Sequence, residues 1–317
     1  MAFRVLFCGT PEFAVPALTM LSQMPEIKII HALSQPDRPS GRGHKLQASP
    51  VKQKAIELQI PVSTPENINT LENIEFLKTL QLDAIVVVAY GQILKQPFLD
   101  LCPQKCVNLH GSCLPRWRGA APVQRAIMAG DHKSGVSLQV IVKKLDAGPV
   151  IGERTLKLEP DINALQLHNE LQILGGELFK SEFLDFLNGK IQPRVQDETQ
   201  VTYAAKIEKV EAQIDWSWSA TKIHNLVRGL AMGPHATTLF KGVPYKIHQT
   251  RVNEGSVKSH PGRILTVAKD HLTVACGEGT LEIWQVQPES KKRMSVEEHL
   301  RGFQFVPGER FGQETAL

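Results

Sequence analysis

Ala84-Ile85-Val86-Val87-Val88-Ala89 carries no polar side chain on either face that a strand would present. A sheet wetted on one side reads as alternating apolar and polar residues, so this run fits a central parallel strand covered by helices on both faces. Outward from it the chain alternates. Ahead of it lie a predicted strand from Phe3 to Cys8, a helix near Val15 to Gln23, a strand from Ile27 to Leu33 and a helix from Val51 to Gln59. Behind it come strands from Cys106 to His110 and from Ser137 to Val142. An amphipathic helix then runs from Ala164 to Asn188, stopped by Gly189. The pattern predicts an α/β domain, a doubly wound Rossmann-like parallel sheet.

From Gln192 to about Lys206 the sequence turns polar, which fits a linker lying over the surface. We therefore expect a first domain at residues 1–190, a linker at 191–207 and a second domain at 208–317. After one helix, Ala220 to Leu230, the second domain reads as short strands: Ala236 to Phe240, Val243 to Arg251, Arg263 to Ala268, His271 to Cys276 and Leu281 to Val286. Lys241-Gly242 and Gly277-Glu278-Gly279 supply tight turns between them. Five such strands point to a small β-barrel of the oligonucleotide-binding (OB-like) type.

The chain has 317 residues, 42% apolar and 21% charged, ordinary values for two packed globular domains. Its longest apolar run, Ala84 to Tyr90, is seven residues, against roughly 20 for a membrane-spanning helix. No membrane association is expected, and no signal-peptide pattern opens the sequence, so a cytoplasmic monomer is the expectation. Five scattered cysteines argue for reduced thiols over a disulfide framework. Cys102, Cys106, His110 and Cys113 cluster in sequence, yet without the paired C-x2-C spacing of a zinc site, so no metal is expected. The net charge of +4 says less than its distribution. Residues 34–54 hold five basic side chains against one acid, and residues 209–317 hold 14 against 11; both could face phosphate.

Gly9-Thr10-Pro11 follows the first strand, but the G-x-G-x-x-G pattern is absent and Pro11 removes an amide that would hold a pyrophosphate. A dinucleotide-dependent dehydrogenase is therefore disfavoured, and a strand-to-helix turn without a ligand is the simpler reading. More informative is Val107-Asn108-Leu109-His110. Side chains two apart share a strand face, so Asn108 and His110 point one way while Val107 and Leu109 pack opposite. In an open α/β sheet, ligands bind beyond the carboxyl ends of the strands, where this pair would sit. Taken alone, the two could equally be satisfied structural polar groups.

The stretch Asn108-Leu109-His110-Gly111-Ser112-Cys113-Leu114-Pro115-Arg116-Trp117-Arg118-Gly119-Ala120-Ala121-Pro122 resembles the hallmark segment of the methionyl-tRNA formyltransferases. Other 10-formyltetrahydrofolate-dependent transferases share only its first part. The resemblance extends over both domains, through Phe7 to Phe13, Gln35 to Gly43, Val86 to Gly91, Leu145-Asp146-Ala147-Gly148, Thr202-Tyr203-Ala204, Ile214 to Ser217 and Phe305 to Gly308. It implies formyl transfer from 10-formyltetrahydrofolate to the amine of initiator methionyl-tRNA, with Asn108, His110 and Asp146 as the catalytic trio. Asn108 would donate to the formyl oxygen as negative charge builds there. His110 would donate to the same oxygen or manage the proton, and Asp146 would orient His110 and help a water carry the proton. Without the resemblance, Asp146 reads as a turn residue. The family's folate-contacting stretch maps to Ser112, Cys113, Leu114 and Pro115, with Cys113 in place of the usual leucine. Tyr90 would line the same pocket or serve as a core aromatic.

The loop from Ser34 to Pro50 spans 17 residues, long for an α/β connection. A plain solvated loop and a functional one are both consistent with its composition. The resemblance implies a segment that orders on tRNA, with Arg42, Arg38 and Lys45 as contacts to it. The competing readings are a 10-formyltetrahydrofolate-dependent transferase acting on a small amine, and a noncatalytic RNA-binding protein.

Overall fold

The computed structural model describes residues 2–40, 45–253 and 258–312. They pack as two compact units. One comprises Met1–Pro122, Lys133–Leu156 and His168–Ala204; the other comprises Val123–His132, Lys157–Leu167 and Ala205–Leu317.

The first unit is built on seven strands: β1 (Phe3–Gly9), β2 (Ile27–Leu33), β3 (Val62–Ser63), β4 (Ala84–Val88), β5 (Cys106–His110), β6 (Lys133–Val140) and β7 (Val150–Lys157). Their order across the sheet is β7-β6-β5-β4-β1-β2-β3. The run that decides the fold is β4, buried at every residue, and it lies parallel to β1 on one side and to β5 on the other. From β1 the chain builds outward through β2 and β3, then returns to β4 on the opposite side of β1. That reversal makes a topological switch point at the β1–β4 boundary, so ligand-binding loops are expected at the carboxyl ends of these strands.

Beyond β5 the sheet departs from the all-parallel expectation, because β6 runs antiparallel to β5. The edge strand β7 was not foreseen, nor were the helices Leu71–Thr79 and Pro122–Ala129. The reason is local: β7 buries only Val150 and Ile151 before turning half-exposed, and Leu71–Thr79 buries only Ile74 and Leu77. Neither gives a strong period. The long loop is not structureless either. Arg38–Ser40 pairs antiparallel with Lys45–Gln47, a hairpin disguised in sequence because Pro39 argues against a strand.

In the second unit, β8 (Ala236–Phe240), β9 (Val243–Asn253), β10 (Ile264–Val267), β11 (Leu272–Ala275) and β12 (Thr280–Pro288) follow the order β8-β9-β12-β11-β10, with Met294–Ser295 added on β12. Both edges are taken up by one segment. Gly312 N donates to Leu239 O at 2.8 Å on the β8 side, and Ile264 N donates to Glu309 O at 2.8 Å on the β10 side. Short bridges pair Phe240 with Phe311 and Arg263 with Arg310. The segment thereby closes the sheet into the expected barrel and covers part of both edge strands. Inside, Phe311 stacks on Trp216 (centroids 5.6 Å apart) and meets Phe240 at 5.0 Å. Helix Ala220–Gly229 is capped by Ser219, whose hydroxyl accepts from Lys222 N, and buries Ile223, Leu226 and Val227.

Phe311 is 1% exposed, and its removal would leave a cavity while loosening the closing segment. We expect Phe311→Ala to cost about 3 kcal/mol or more of unfolding free energy, measured by urea denaturation. A loss under about 1 kcal/mol would show that the closing segment adds little to the barrel.

Candidate active site

Asn108 and His110 stand at the carboxyl end of β5, between β4 and the antiparallel β6. The period-two reading holds: Val107 and Leu109 are buried on the opposite face. The His110 ring is 6% exposed, and its Nε2 lies 2.8 Å from Trp117 O. A carbonyl oxygen only accepts, so Nε2 carries the hydrogen. Nδ1 is then the nitrogen that faces Asp146 Oδ2, at 3.6 Å. Among the described residues no hydrogen bond engages the Asn108 carboxamide, which leaves its N–H donors for an incoming oxygen.

Asp146 sits in a turn at φ +48°, a conformation Asp tolerates better than most residues. The turn closes only because residue 148 is glycine: a Cβ there would lie 1.6 Å from Val140 O. Asp146 Oδ2 accepts from Gly119 N at 2.9 Å and Oδ1 accepts from Gln139 Nε2 at 3.0 Å. Gly119, at φ +123°, also packs where a Cβ would meet Ala204 O at 2.7 Å. Behind the turn, Gln196 Nε2 donates to Asp146 O at 2.8 Å and to Gly148 O at 2.7 Å. Gln196 Oε1 in turn accepts from Nε and Nη2 of Arg118, at 3.0 and 2.8 Å. Arg118 is fully buried and reaches Glu198 Oε1 at 2.8 Å. Hydrogen bonds from Arg118 and Lys144 pull the Glu198 carboxyl down to about 2.

The expected folate-contacting stretch forms a turn fastened to β6. Ser137 Oγ donates to Ser112 O at 2.8 Å and accepts from Leu114 N at 3.0 Å, while Ser112 Oγ donates to Arg116 O at 2.6 Å. Ser112 and Leu114 are buried, and Cys113 and Pro115 are half-buried. At the switch point, Thr10 Oγ1 donates to Tyr90 O at 2.8 Å. The Tyr90 side chain is a core residue at 2% exposure, its hydroxyl without a partner among the described residues. A cavity of about 660 Å³ opens beside Thr10, Gln35, Arg38 and Ser49, and the trio does not line it. Arg38 is exposed and pairs with Glu66 at 3.3 Å. Lys45 opens the second strand of the hairpin, and Arg42 lies outside the described residues.

With this geometry in view, the relatives are decisive. Residues 1–181 match the formyl transferase family and residues 206–304 match the formyl transferase C-terminal domain. A methionyl-tRNA formyltransferase of Bdellovibrio bacteriovorus is 48% identical over 314 residues, 98% of this chain and 98% of that one. The chain belongs to the methionyl-tRNA formyltransferase family. A second member, from Magnetococcus marinus, is 42% identical over 98% of this chain and 99% of its own length. The fold is also that of an N-formyltransferase from Helicobacter canadensis solved with folinic acid and dTDP-3-aminofucose. That likeness has a TM-score of 0.66 at 17% identity, covering 89% of this chain and 99% of that one.

Within this family member, sequence reasoning missed the shell around Asp146. Gln139 had a weak signal, as an amide between Leu138 and Val140 in a strand that is buried at every position but its first. Arg118 and Gln196 had none, because arginine and glutamine ordinarily lie at the surface. The four residues weighed for zinc are not gathered, and among the described residues no group of three or more potential ligands stands together. Cys102 and Cys106 belong to the apolar cluster with Leu6 and Phe98. Also among the described residues, no helix is long and apolar enough to cross a membrane.

All five thiols are held in their protonated form by burial. It pushes Cys102 to about 11 and Cys106, Cys113 and Cys276 to about 12, and raises Cys8 well above its ordinary value. For Cys113 the charge of Glu153 adds to the rise and Lys133 opposes it. A raised thiol value means less thiolate at a given pH, so at pH 8 about one thiol in a thousand, or fewer, is ionised. We expect Ellman's reagent to label none of the five promptly in the native state and all five in guanidinium. One fast-reacting thiol per chain would contradict the burial.

Proposed function

We propose that the protein transfers the formyl group of 10-formyltetrahydrofolate to the amino group of initiator methionyl-tRNA, with Asn108, His110 and Asp146 as the reacting trio. The reading rests most on one juxtaposition: an uncommitted carboxamide beside a buried imidazole, which is itself backed by a buried carboxylate at 3.6 Å. The folate supplies an activated formyl carbon. Attack by the methionyl amine pushes negative charge onto the formyl oxygen and makes the attacking nitrogen acidic. A side-chain N–H of Asn108 meets that oxygen, a contact that strengthens as charge develops and so lowers the barrier. His110 donates to the same oxygen or carries the proton from the amine to N10, so that the C–N10 bond breaks and tetrahydrofolate leaves, and Asp146 balances the ring whenever it is positive. The fastened turn at Ser112–Pro115, with Ser112 O and Leu114 N held by Ser137 Oγ and an apolar wall from Leu114, suits the flat pterin and its N10.

We assign the chemistry to residues 1–190 and general tRNA binding to the barrel at 208–317, joined by 191–207. Arg42, with Arg38 and Lys45 beside it, is the contact to the acceptor end.

Formylation of methionyl-tRNA by the purified chain, with 10-formyltetrahydrofolate as donor, tests the activity and separates it from formylation of a small amine. Asn108→Ala and His110→Ala should each lower kcat by about 100-fold or more while tRNA affinity changes little. An effect confined to KM would reject their role. Asp146→Asn keeps the shape and removes the charge, so turnover should fall and its pH profile change; an unaltered profile rejects that assignment. Arg42→Ala should reduce formylation of the initiator far more than it weakens general tRNA binding. Equal loss on initiator and elongator methionyl-tRNA, with only a shifted salt slope, would make Arg42 one more phosphate contact.

A further inference from the structure

The barrel unit holds a cavity of about 360 Å³ that none of the chemistry above uses, lined by Arg228, Arg251, Arg293, His224, His248 and Asp161 among others. Among the described residues, the hydrogen-bond and ring partners of its three guanidinium groups are uncharged. Arg228 donates to Asn225 Oδ1 at 2.8 and 3.0 Å and to Ile162 O at 2.9 Å. Arg251 lies over the Trp284 ring at 4.6 Å, and Arg293 donates to Gln285 Oε1 at 2.7 Å. The carboxylate in the wall, Asp161, pairs at 3.3 Å with His224, not with an arginine. His224 is further tied to Thr250 Oγ1 at 2.9 Å.

We propose that this cavity is an anion site that takes a phosphate group. Three guanidinium charges against one carboxylate leave two positive charges in a half-enclosed space, the complement of a phosphate dianion. The planar fork of arginine suits tetrahedral oxyanions, and each fork still has N–H groups beyond those already bonded. Burial first, and the nearby cations second, keep the two imidazoles from adding to that charge. Burial, then Arg228, holds His224 below its ordinary value against the opposing pull of Asp161. Burial pushes His248 down to about 4, helped by His235, Arg293 and Lys246 and opposed by the bond to Gln287. Near neutral pH both rings are therefore uncharged, with their N–H groups turned to Gln287 Oε1 and Asp161 Oδ1, so the three guanidiniums are the donors left for the anion. The phosphate can come from the solution or from a nucleic-acid backbone; the chemistry of recognition is the same.

The test uses the full chain and inorganic phosphate, titrated calorimetrically at constant ionic strength against chloride. Arg251 and Arg293 are exposed, so the double variant Arg251→Gln with Arg293→Gln should fold; its thermal midpoint in chloride checks this. Phosphate affinity should fall by about tenfold or more in that variant. In the pair Arg251→Lys with Arg293→Lys, which keeps the charge but not the fork, the loss should be smaller. Equal phosphate binding by all three proteins would overturn the site, as would no binding by the unsubstituted chain. A second arm identifies the source. If a tRNA phosphate occupies the cavity, inorganic phosphate competes with tRNA, and the Gln variant lowers the slope of log affinity against log salt by about one unit for each phosphate lost. If solution phosphate is the ligand, that slope is unchanged while the calorimetric loss persists. Neither arm needs folate or a methionyl amine, so failure of the formyl-transfer reading would leave the site standing.

Discussion

An ionised carboxylate taken out of water must be met by donors, and the requirement set by Asp146 organises the catalytic unit. Its side chain is 12% exposed, where an unpartnered charge would be expensive. The chain meets it with two donors, a backbone N–H at Gly119 and a side-chain amide at Gln139, and sets Nδ1 of His110 beside it at 3.6 Å. These come from three separate stretches of sequence. Bringing them together explains features that otherwise look like isolated oddities: Trp117 and Asp146 at positive φ, and Gly119 and Gly148 where a Cβ would strike backbone.

The same requirement propagates outward. A turn held at φ +48° presents its own carbonyls inward, and Gln196 answers those of Asp146 and Gly148. Gln196 spends both N–H groups there, so its oxygen needs a donor, and the buried Arg118 supplies two. Arg118 then brings a second charge into the interior, and that charge is carried to the surface through Glu198 and Lys144. Each step answers a group left by the one before and the series ends in water, with Nη1 of Arg118 the one buried atom along it that has no partner among the described residues. The outcome is a carboxylate and an imidazole whose positions the protein alone fixes, the arrangement that the proposed chemistry calls for.

This chain of obligations also marks where sequence reasoning stops. The strand from Ala84, the barrel strands and the pairing of Asn108 with His110 on one face were legible, because each follows from periods of two or from turn chemistry within a few residues. Asp146 was legible through resemblance; by itself it is an Asp in a turn. Gln196 was hidden in a stretch that reads as polar linker, and it meets Asp146 across 50 residues and Arg118 across 78. Nothing local distinguishes it from its exposed neighbours. The edge strand β7 and the hairpin at Arg38–Gln47 escaped for a different reason: edges bury little, so their sequences are free of the periodicity that burial imposes.

The two units handle charge in opposite ways, and the contrast follows from what each presents. In the first unit several buried or half-buried cations are matched to carboxylates, Lys52 to Asp37, Arg118 to Glu198 and Arg154 to Glu182, although Arg4 rests on the carbonyls of Leu80 and Gln81. Pairing of this kind adds little net stability, but it fixes positions. The barrel matches Arg125 to Glu211 in the same manner, yet around its cavity it holds three guanidiniums on an amide, carbonyls and an indole face. Neutral partners fix orientation without cancelling charge. A cation treated this way keeps its field for whatever approaches, whereas one paired internally does not. Geometry for chemistry calls for the first arrangement, and recognition of an anion calls for the second.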